Sequence, residues 1–421
     1  MNIIMRAEPC DLAVHHIDAA KRLHDYDGGH CHFAETAAMR LSTDRIRTTH
    51  VGSLPRAANV VEQLYKKDKE QAIDPVEFNA TMRTAVADVV RRQVAIGIDQ
   101  VSDGEVSKVG YSTYIQDRLS GFGGHTDRKP SLDLKDYPEF RKKMALITGP
   151  QDFRRASCIG PVSIKDRGPL EHDLVNFGHA LKAAQASEGF MTAASPGVVS
   201  AFQPNIYYPT HAAYVEAVGA VMKEEYEAII GAGFVLQVDC PDLAMARHTG
   251  FQDLTEAEFL MRAAHQVEVL NASLANIPAT SIRMHICWGN YEGPHDHDID
   301  LIKVLPIILK AKPHAISFEA SNPRHEHEWA VWKEAGLPDD KVLIPGVLDT
   351  STNFVEHPEL VAQRLCTFAS IVGRERVLAG TDCGFGTFAG YGKLDPEISY
   401  KKLATMVAGA RIASARLWTK K

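Results

Sequence analysis

The sequence lacks the features of a membrane or secreted protein. It contains no run of about 18 apolar residues, so no segment is suited to cross a bilayer. Residues 1–30 carry charges and histidines where a signal peptide needs an apolar stretch. We therefore expect a cytoplasmic protein with no membrane partner.

A basic surface and a disulfide framework are also missing. The formal net charge is −7, and acidic and basic residues are mixed along the chain, which argues against a nucleic-acid partner. The seven cysteines are an odd number, scattered at long spacings, unlike the paired cysteines of a disulfide scaffold. Individual thiols are therefore available for metal binding or for core packing.

The composition is that of a globular protein with a large core. Of the 421 residues, 45% are hydrophobic and 24% charged, and a single α/β barrel of about 250 residues or more fits this length. We predict one barrel over residues 45–421 and a flexible extension over residues 1–44. A second metal site in that extension stays open as an alternative, because it contains Cys10, His15, His16, His30, Cys31 and His32.

Short β-rich runs alternate with amphipathic helices from Arg47 onward, which is typical of βα units with a parallel sheet. Two helix starts are marked, at Asp74 followed by Pro75 and at Thr255 with Glu258. Nine runs are predicted strands, one more than an eight-stranded barrel needs: 47–52, 98–103, 156–162, 189–194, 234–239, 282–287, 315–320, 342–347 and 376–381.

Several predicted strands end in polar or metal-binding residues. In a parallel barrel the carboxyl ends of the strands open on one face, so these residues are expected to converge on one mouth. His285 and Cys287 are two positions apart on one strand and can point at the same ion, while Glu319 and Cys383 end two later strands. Imidazole, two thiolates and a carboxylate form a donor set suited to zinc. Taken singly, a cysteine in a strand is more often a small buried core residue, and a single histidine is more often a hydrogen-bonded one.

Sequence motifs around these residues resemble a known family. MHICWGN (284–290), ISFEASN (316–322) and GTDCGFG (380–386) are similar to the three metal-binding segments in the C-terminal catalytic barrel of cobalamin-independent methionine synthase. THVGSLPR (49–56), SDGE (102–105), IGPV (159–162), QVDCPDL (237–243) and PGVLD (345–349) match its other strand-end motifs. The resemblance spans residues 46–390. It implies a (β/α)₈ TIM barrel of the uroporphyrinogen decarboxylase/methionine synthase-like superfamily.

The resemblance also implies roles for individual residues. His285, Cys287, Glu319 and Cys383 correspond to the zinc ligands, with Glu319 expected to leave when a thiol binds. Ser53, Glu105 and Asp239 fall on positions that hold the amino and carboxyl groups of homocysteine, and Asp239 and Asp349 are the predicted catalytic residues.

The chain departs from the family pattern in ways that bear on the methyl donor. It has room for one barrel, whereas the full-length synthase has two. Ser163 follows IGPV where the family presents a pterin-stacking Trp, and Ser351 stands where the family has a His. These differences favour a non-folate donor such as methylcobalamin, with a corrinoid or a corrinoid protein as partner.

Residues 189–214 have no counterpart in the family pattern and are predicted to form an insertion over the mouth. Tyr207 and Tyr208 in this segment, and Arg324 after the third metal-binding strand, are candidates for lid contacts or for binding the substrate tail. For Tyr207 and Tyr208, simple surface packing is an equal alternative.

The sequence thus predicts a zinc-dependent S-alkyltransferase that acts on a small-molecule thiol, homocysteine above all, and an alkyl donor. Three alternatives stay open. The first is addition of a thiol to an epoxide, as in the single-barrel relative epoxyalkane:coenzyme M transferase. The others are a compact methyl-folate-dependent synthase and a zinc-storing barrel that has lost catalysis.

Overall fold

Eight parallel segments form a closed ring in the computed structural model, which describes residues 38–127, 129–148, 154–392 and 394–419. Six of them are strands of one sheet, in the order β1, β4, β5, β6, β7, β8. Their bounds are β1 Gln100–Val101, β4 Glu188–Ala194, β5 Val235–Asp239, β6 Ile282–Ile286, β7 Ala315–Phe318 and β8 Val342–Pro345.

Two further segments complete the ring. Val377 and Gly380 form parallel bridges to Leu343 and Gly346 next to β8, and Ala379 forms one to Thr48. The Thr48 carbonyl accepts from the backbone N–H of Gln100 at 3.1 Å, which joins the first segment to β1. The fold is therefore the (β/α)₈ barrel that the sequence predicts.

Helices follow the barrel strands and cover the outside of the ring. Their bounds are α1 Ala58–Asp68, α2 Pro75–Ile96, α3 Ile115–Arg118, α4 Leu132–Asp136, α5 Pro138–Thr148, α6 Gly168–Ala184, α7 Pro196–Phe202, α8 His211–Gly231, α9 Glu256–Ser273, α10 Leu301–Ile308, α11 Trp329–Ala335, α12 Pro358–Val372 and α13 Pro396–Trp418. Within the described part of the chain, none of them has the length and apolar character needed to span a membrane.

Both marked helix starts are confirmed. The Asp74 carboxylate accepts from the backbone N–H of Val76 and Glu77, and α2 ends at Gly97 in the left-handed conformation (φ 95°). Thr255 and Glu258 form a reciprocal capping box at the start of α9.

The one predicted strand too many is 156–162, which lies outside the barrel. β2 (Leu119–Gly123) and β3 (Ser157–Ile164) pair antiparallel as a separate two-stranded sheet. The segment that begins at Gly189, by contrast, belongs to β4, which pairs with β5 inside the barrel. The prediction of an insertion beginning at residue 189 is therefore wrong, because the extra structure is the hairpin between β1 and β4.

This hairpin carries a cover segment, residues 129–137, that lies against the loop after β6. The Asp133 carboxylate accepts from the Tyr291 hydroxyl and, at 3.3 Å, from the His295 N–H. The Tyr137 hydroxyl donates to Asp296 at 3.0 Å. The cover segment is thus attached mainly by polar contacts.

Side chains fill the barrel in layers. At the amino ends of the strands, Phe190, Val235, Ala315, Val342, Ile344 and Leu378 form an apolar cluster. Above it the fully buried Arg283 donates to Gln237 at 2.8 Å and to Thr49 at 2.7 Å, two residues on other barrel segments. The interior is therefore a packed core, and the carboxyl ends of the strands are left to form the mouth.

Residues 38–44 pack against the amino end of the barrel. Met39 belongs to the apolar cluster, and its N–H donates to the Thr280 carbonyl at 2.9 Å. The Ser42 hydroxyl donates to the Val377 carbonyl at 2.6 Å. The predicted flexible extension 1–44 is wrong for these residues, while the cluster from Cys10 to His32 lies outside the described residues.

The packing of Met39 generates a prediction about stability. Met39 is 5% exposed, so Met39→Ala should lower the free energy of unfolding by about 2–4 kcal/mol through lost burial and a cavity. Denaturant unfolding would measure the loss. Met261→Ala, at a 66% exposed position on α9, is the matched control and should change little. Equal stability of both variants would show that Met39 does not close the barrel.

Candidate functional site

Three metal-ligating side chains meet at the mouth of the barrel. One ligand atom each from His285, Cys287 and Cys383 lies within 4.8 Å of the other two, and all three residues are buried. His285 and Cys287 leave β6 on the same side, and Cys383 follows the last barrel segment. The His285 Nδ1 atom is buried without a hydrogen-bond partner. A buried nitrogen without a partner and two buried thiols at this spacing fit a metal ion.

Electrostatics favour a cation in this cluster. Burial and the neighbouring Cys287 raise the pKa of the Cys383 thiol well above its ordinary value. Burial, and then the charge of Arg283, lower the pKa of His285 to about 3, so its imidazole is neutral. Neutral imidazole is the ligand form, and a bound divalent cation would supply the charge that makes the thiols into thiolates.

Glu319 lies beside this cluster but is held by other groups. Its Oε1 atom is 3.8 Å from the Cys383 Sγ and accepts from the Trp288 N–H at 2.6 Å. Its Oε2 atom accepts from the Asn322 amide at 2.6 Å. Glu319, the predicted fourth ligand, therefore lies next to His285, Cys287 and Cys383 but is not part of their close cluster.

Asp382 fixes the loop that carries Glu319, a role that the sequence did not reveal. Its carboxylate accepts from the backbone N–H of Ala320 at 2.8 Å and of Ser321 and Asn322 at 2.9 Å. Burial, and then the charge of Glu319, raise the pKa of Asp382 to about 7. Since Asp382 precedes Cys383, its hydrogen bonds tie the Glu319 loop to the end of the last barrel segment.

The three residues predicted to bind substrate surround the same mouth. Asp239 ends β5 and is the register partner of His285 on β6. The Glu105 Oε1 atom approaches so closely that a Cβ on Gly52 would lie 2.7 Å from it. Ser53 follows Gly52, and its Oγ lies directly against Gly384, the neighbour of Cys383. Ser53 thus lies between the carboxylates and the metal-ligating side chains.

Glu105 and Asp239 form a buried pair of like charges. Burial raises the pKa of Glu105, and burial together with the charge of Glu105 raises the pKa of Asp239 well above its ordinary value. Asp239 accepts from Gln237 at 2.8 Å, whereas the Glu105 Oε2 atom has no hydrogen-bond partner. The nearby ammonium of Lys108 donates to the carbonyl and hydroxyl of Thr192. The pair is therefore suited to bind a substrate cation.

The remaining predicted residues have contacts of their own. Asp349 is half-buried and accepts from Ser351 and Thr352 in its own loop, and its charge helps to raise the pKa of Asp382, the residue before Cys383. The Tyr208 hydroxyl accepts from the Val162 N–H of the hairpin at 2.9 Å. Tyr207 and Arg324 are exposed. The roles predicted for these four residues stay predictions.

A histidine–carboxylate network next to the site was not foreseen. His295 and His325 both approach Asp298, at 3.1 and 3.2 Å, and His325 also pairs with Glu328 at 2.8 Å. Although burial lowers their pKa values, these carboxylates raise them, to about 9 for His295 and about 10 for His325. The carboxylates therefore engage both rings beside the site.

Comparisons with known proteins identify a family and a similar fold. A family model described as the catalytic domain of cobalamin-independent synthase matches residues 46–131 and 197–411. The methionine synthase of Sulfolobus acidocaldarius is 26% identical over 372 residues, covering 88% of this chain and 93% of that protein. That of Saccharolobus solfataricus is 24% identical, covering 88% and 95%. A B12-independent methionine synthase structure from a Shewanella species, in complex with selenomethionine, has a TM-score of 0.67 at 20% identity, covering 89% of this chain and 99% of that one.

The buried carboxylate pair generates a prediction about pH. Because the pKa of Glu105 is raised in the folded protein, its contribution to stability is complete below the ordinary value of 4.5 and is lost as pH rises through the folded value. Glu105→Gln should remove this loss. Its stability relative to wild type should therefore increase as the pH rises above 4.5, by about 1.4 kcal/mol per unit of raised pKa.

Denaturant unfolding at several pH values tests this expectation. Glu334→Gln, at an exposed position on α11, is the control and should follow the wild-type curve. If the stability of wild type and of Glu105→Gln changed with pH in the same way, the pKa of Glu105 would not be raised in the folded protein.

Proposed function

The chain belongs to the cobalamin-independent methionine synthase family, and from this premise we propose that it is a methyltransferase that methylates the thiol of homocysteine. The observation that carries the proposal is the junction at Ser53. There a group of three metal-ligating side chains meets a buried carboxylate pair with an unpaired oxygen. A small substrate with a thiol and an ammonium would suit both, because the thiol would bind the metal and the ammonium would pair with the carboxylates.

We propose zinc as the metal, bound by His285, Cys287 and Cys383 with Glu319 as an exchangeable fourth ligand. The donor set fits, because imidazole and thiolate ligands from separate strands with one replaceable position are typical of catalytic zinc sites. Zinc, when bound, would keep a substrate thiol deprotonated near neutral pH.

The chain's own residues would bind and orient the amino acid part of the substrate. The ammonium would lie between Glu105 and Asp239, where it offsets their repulsion and donates to the unpaired Glu105 oxygen. The Ser53 hydroxyl, between this pair and Cys383, would contact the substrate carboxyl group. Two carboxylates favour an amino thiol over a sulfonate thiol such as coenzyme M, which makes epoxide addition the weaker alternative.

The expectation of a corrinoid donor is not supported. The family that matches the chain is cobalamin-independent, and relatives called methionine synthase are matched over 93–95% of their own length. A chain with room for a single barrel therefore does not argue for methylcobalamin. We propose a methyl-folate as donor, bound without the Trp and His of the two-barrel pattern because Ser163 and Ser351 stand at those positions.

Metal content tests the proposal that the protein binds zinc. The purified protein should contain about one zinc per chain, and Cys287→Ser or Cys383→Ser should remove most of it, because thiolates supply much of the ligand charge. Cys366→Ser, at a half-buried cysteine on α12, is the control and should retain zinc. Normal zinc in both site variants, measured by plasma mass spectrometry, would end the assignment.

Turnover with different donors tests the proposal that the protein methylates homocysteine from a methyl-folate. With zinc and homocysteine under reducing conditions, the protein should form methionine from methyl-tetrahydrofolate and not from methylcobalamin at equal concentration. Asp239→Asn should keep its zinc but require about 10- to 100-fold more homocysteine, because a charged hydrogen bond is lost. Turnover with methylcobalamin alone would restore the corrinoid donor and overturn the folate proposal.

A further inference from the structure

The Glu319 carboxylate is held by two hydrogen-bond donors beside the three metal-ligating side chains. We propose that the Asn322 amide and the Trp288 backbone N–H form a holding site for this carboxylate when it is not bound to metal. Asn322 is then a positioning residue that sets how readily the carboxylate gives way to the substrate thiol. The inference rests on the proposed function of the same site.

Each carboxylate oxygen in the holding site has its own donor. Trp288 N–H donates to Oε1 and the Asn322 amide donates to Oε2, both at 2.6 Å. Bonds of this length to an ionised oxygen are charge-assisted and stronger than neutral ones. A buried carboxylate that leaves a cation requires such donors, because an unpaired charge at a 4% exposed position would be costly. The holding site therefore lowers the free energy of the released state.

The Asn322 amide is itself held in one orientation. Its nitrogen also donates to Asp382 at 3.0 Å, and its oxygen accepts from the Arg324 N–H at 3.1 Å. The Asn322 backbone N–H donates to Asp382 at 2.9 Å. These contacts leave the amide N–H₂ aimed at Glu319, so the donor is in place before the carboxylate arrives.

The two positions of Glu319 are close together. In the holding site Oε1 is already 3.8 Å from the Cys383 Sγ, so the carboxylate would move only a short way to share an ion with that sulfur. A carboxylate is the harder donor in a set of thiolates and imidazole and is the one that sulfur replaces most easily. The metal and the holding site compete for the same carboxylate. Weakening the holding site should therefore make Glu319 bind the metal more tightly.

A cobalt-substituted protein tests the inference, since cobalt(II) reports its ligands through absorption. Homocysteine is titrated into the cobalt forms of wild type and Asn322→Ala, and the change in the sulfur-to-cobalt bands is followed. Asn322→Ala should bind the same amount of cobalt but need about tenfold more homocysteine for half of the change. Asn271→Ala, on α9, whose amide donates to the Lys310 carbonyl in the turn after α10, is the control and should match wild type.

A double variant separates positioning from a general structural role. In a Glu319→Gln background, which has no ionised carboxylate to hold, adding Asn322→Ala should shift the homocysteine midpoint by less than about twofold. An undiminished shift there would show that Asn322 acts on the loop and not through Glu319, and would overturn the inference. Asn322→Ser, too short to reach Glu319, is the second variant if Asn322→Ala does not fold, and should give the same shift.

The failures of the two proposals are distinguishable. If homocysteine leaves the spectrum of wild-type cobalt protein unchanged, the proposed function is wrong and the inference falls with it. If wild type responds and both Asn322 variants respond at the wild-type midpoint, the proposed function stands and the holding site is refuted.

Discussion

The guanidinium of Arg283 at the centre of the barrel is the interaction on which the site depends. It is fully buried, lies 3.9 Å from the centre of the Phe190 ring, and donates to Gln237 and Thr49 on other segments. Burial lowers its pKa, to about 9, while the charge of Asp239 opposes the shift. A buried guanidinium is tolerated only where its donors are paired, so this layer fixes the spacing of the segments beneath the mouth. The positive charge of Arg283 also lies below the carboxylates at the mouth, among them Asp239.

Local rules predict that His285, Cys287 and Cys383 meet at one mouth, while the family resemblance, and not spacing alone, implied that they are metal ligands. His285 and Cys287 share a face through the two-residue repeat of a strand, and strand ends of a parallel barrel share one edge. The identity of the third barrel strand was missed, although a signal existed. GFMTAA in β4 is a nearly continuous apolar run, as buried parallel strands are, whereas β3 alternates buried and exposed positions.

The parts of the site that could not be predicted depend on pairs of residues far apart in sequence. Asp382 binds the loop after Glu319, and Asp133 of the cover segment binds Tyr291. Composition marks each as an acidic residue near a turn, and only the folded chain shows which N–H or hydroxyl it meets. The same holds for His295 and His325, whose shared partner Asp298 determines their charge.

Met39 closes the amino end of the barrel with an apolar floor, and the Arg283 layer lies above this floor. The metal-ligating side chains and the carboxylate pair are buried at the opposite end, where the described residues form the mouth. In the proposed methyl transfer, the thiol, the donor and both products would share this one entrance. The smaller and deeper substrate would then have to bind before the donor, and its methylated product would leave after the spent donor.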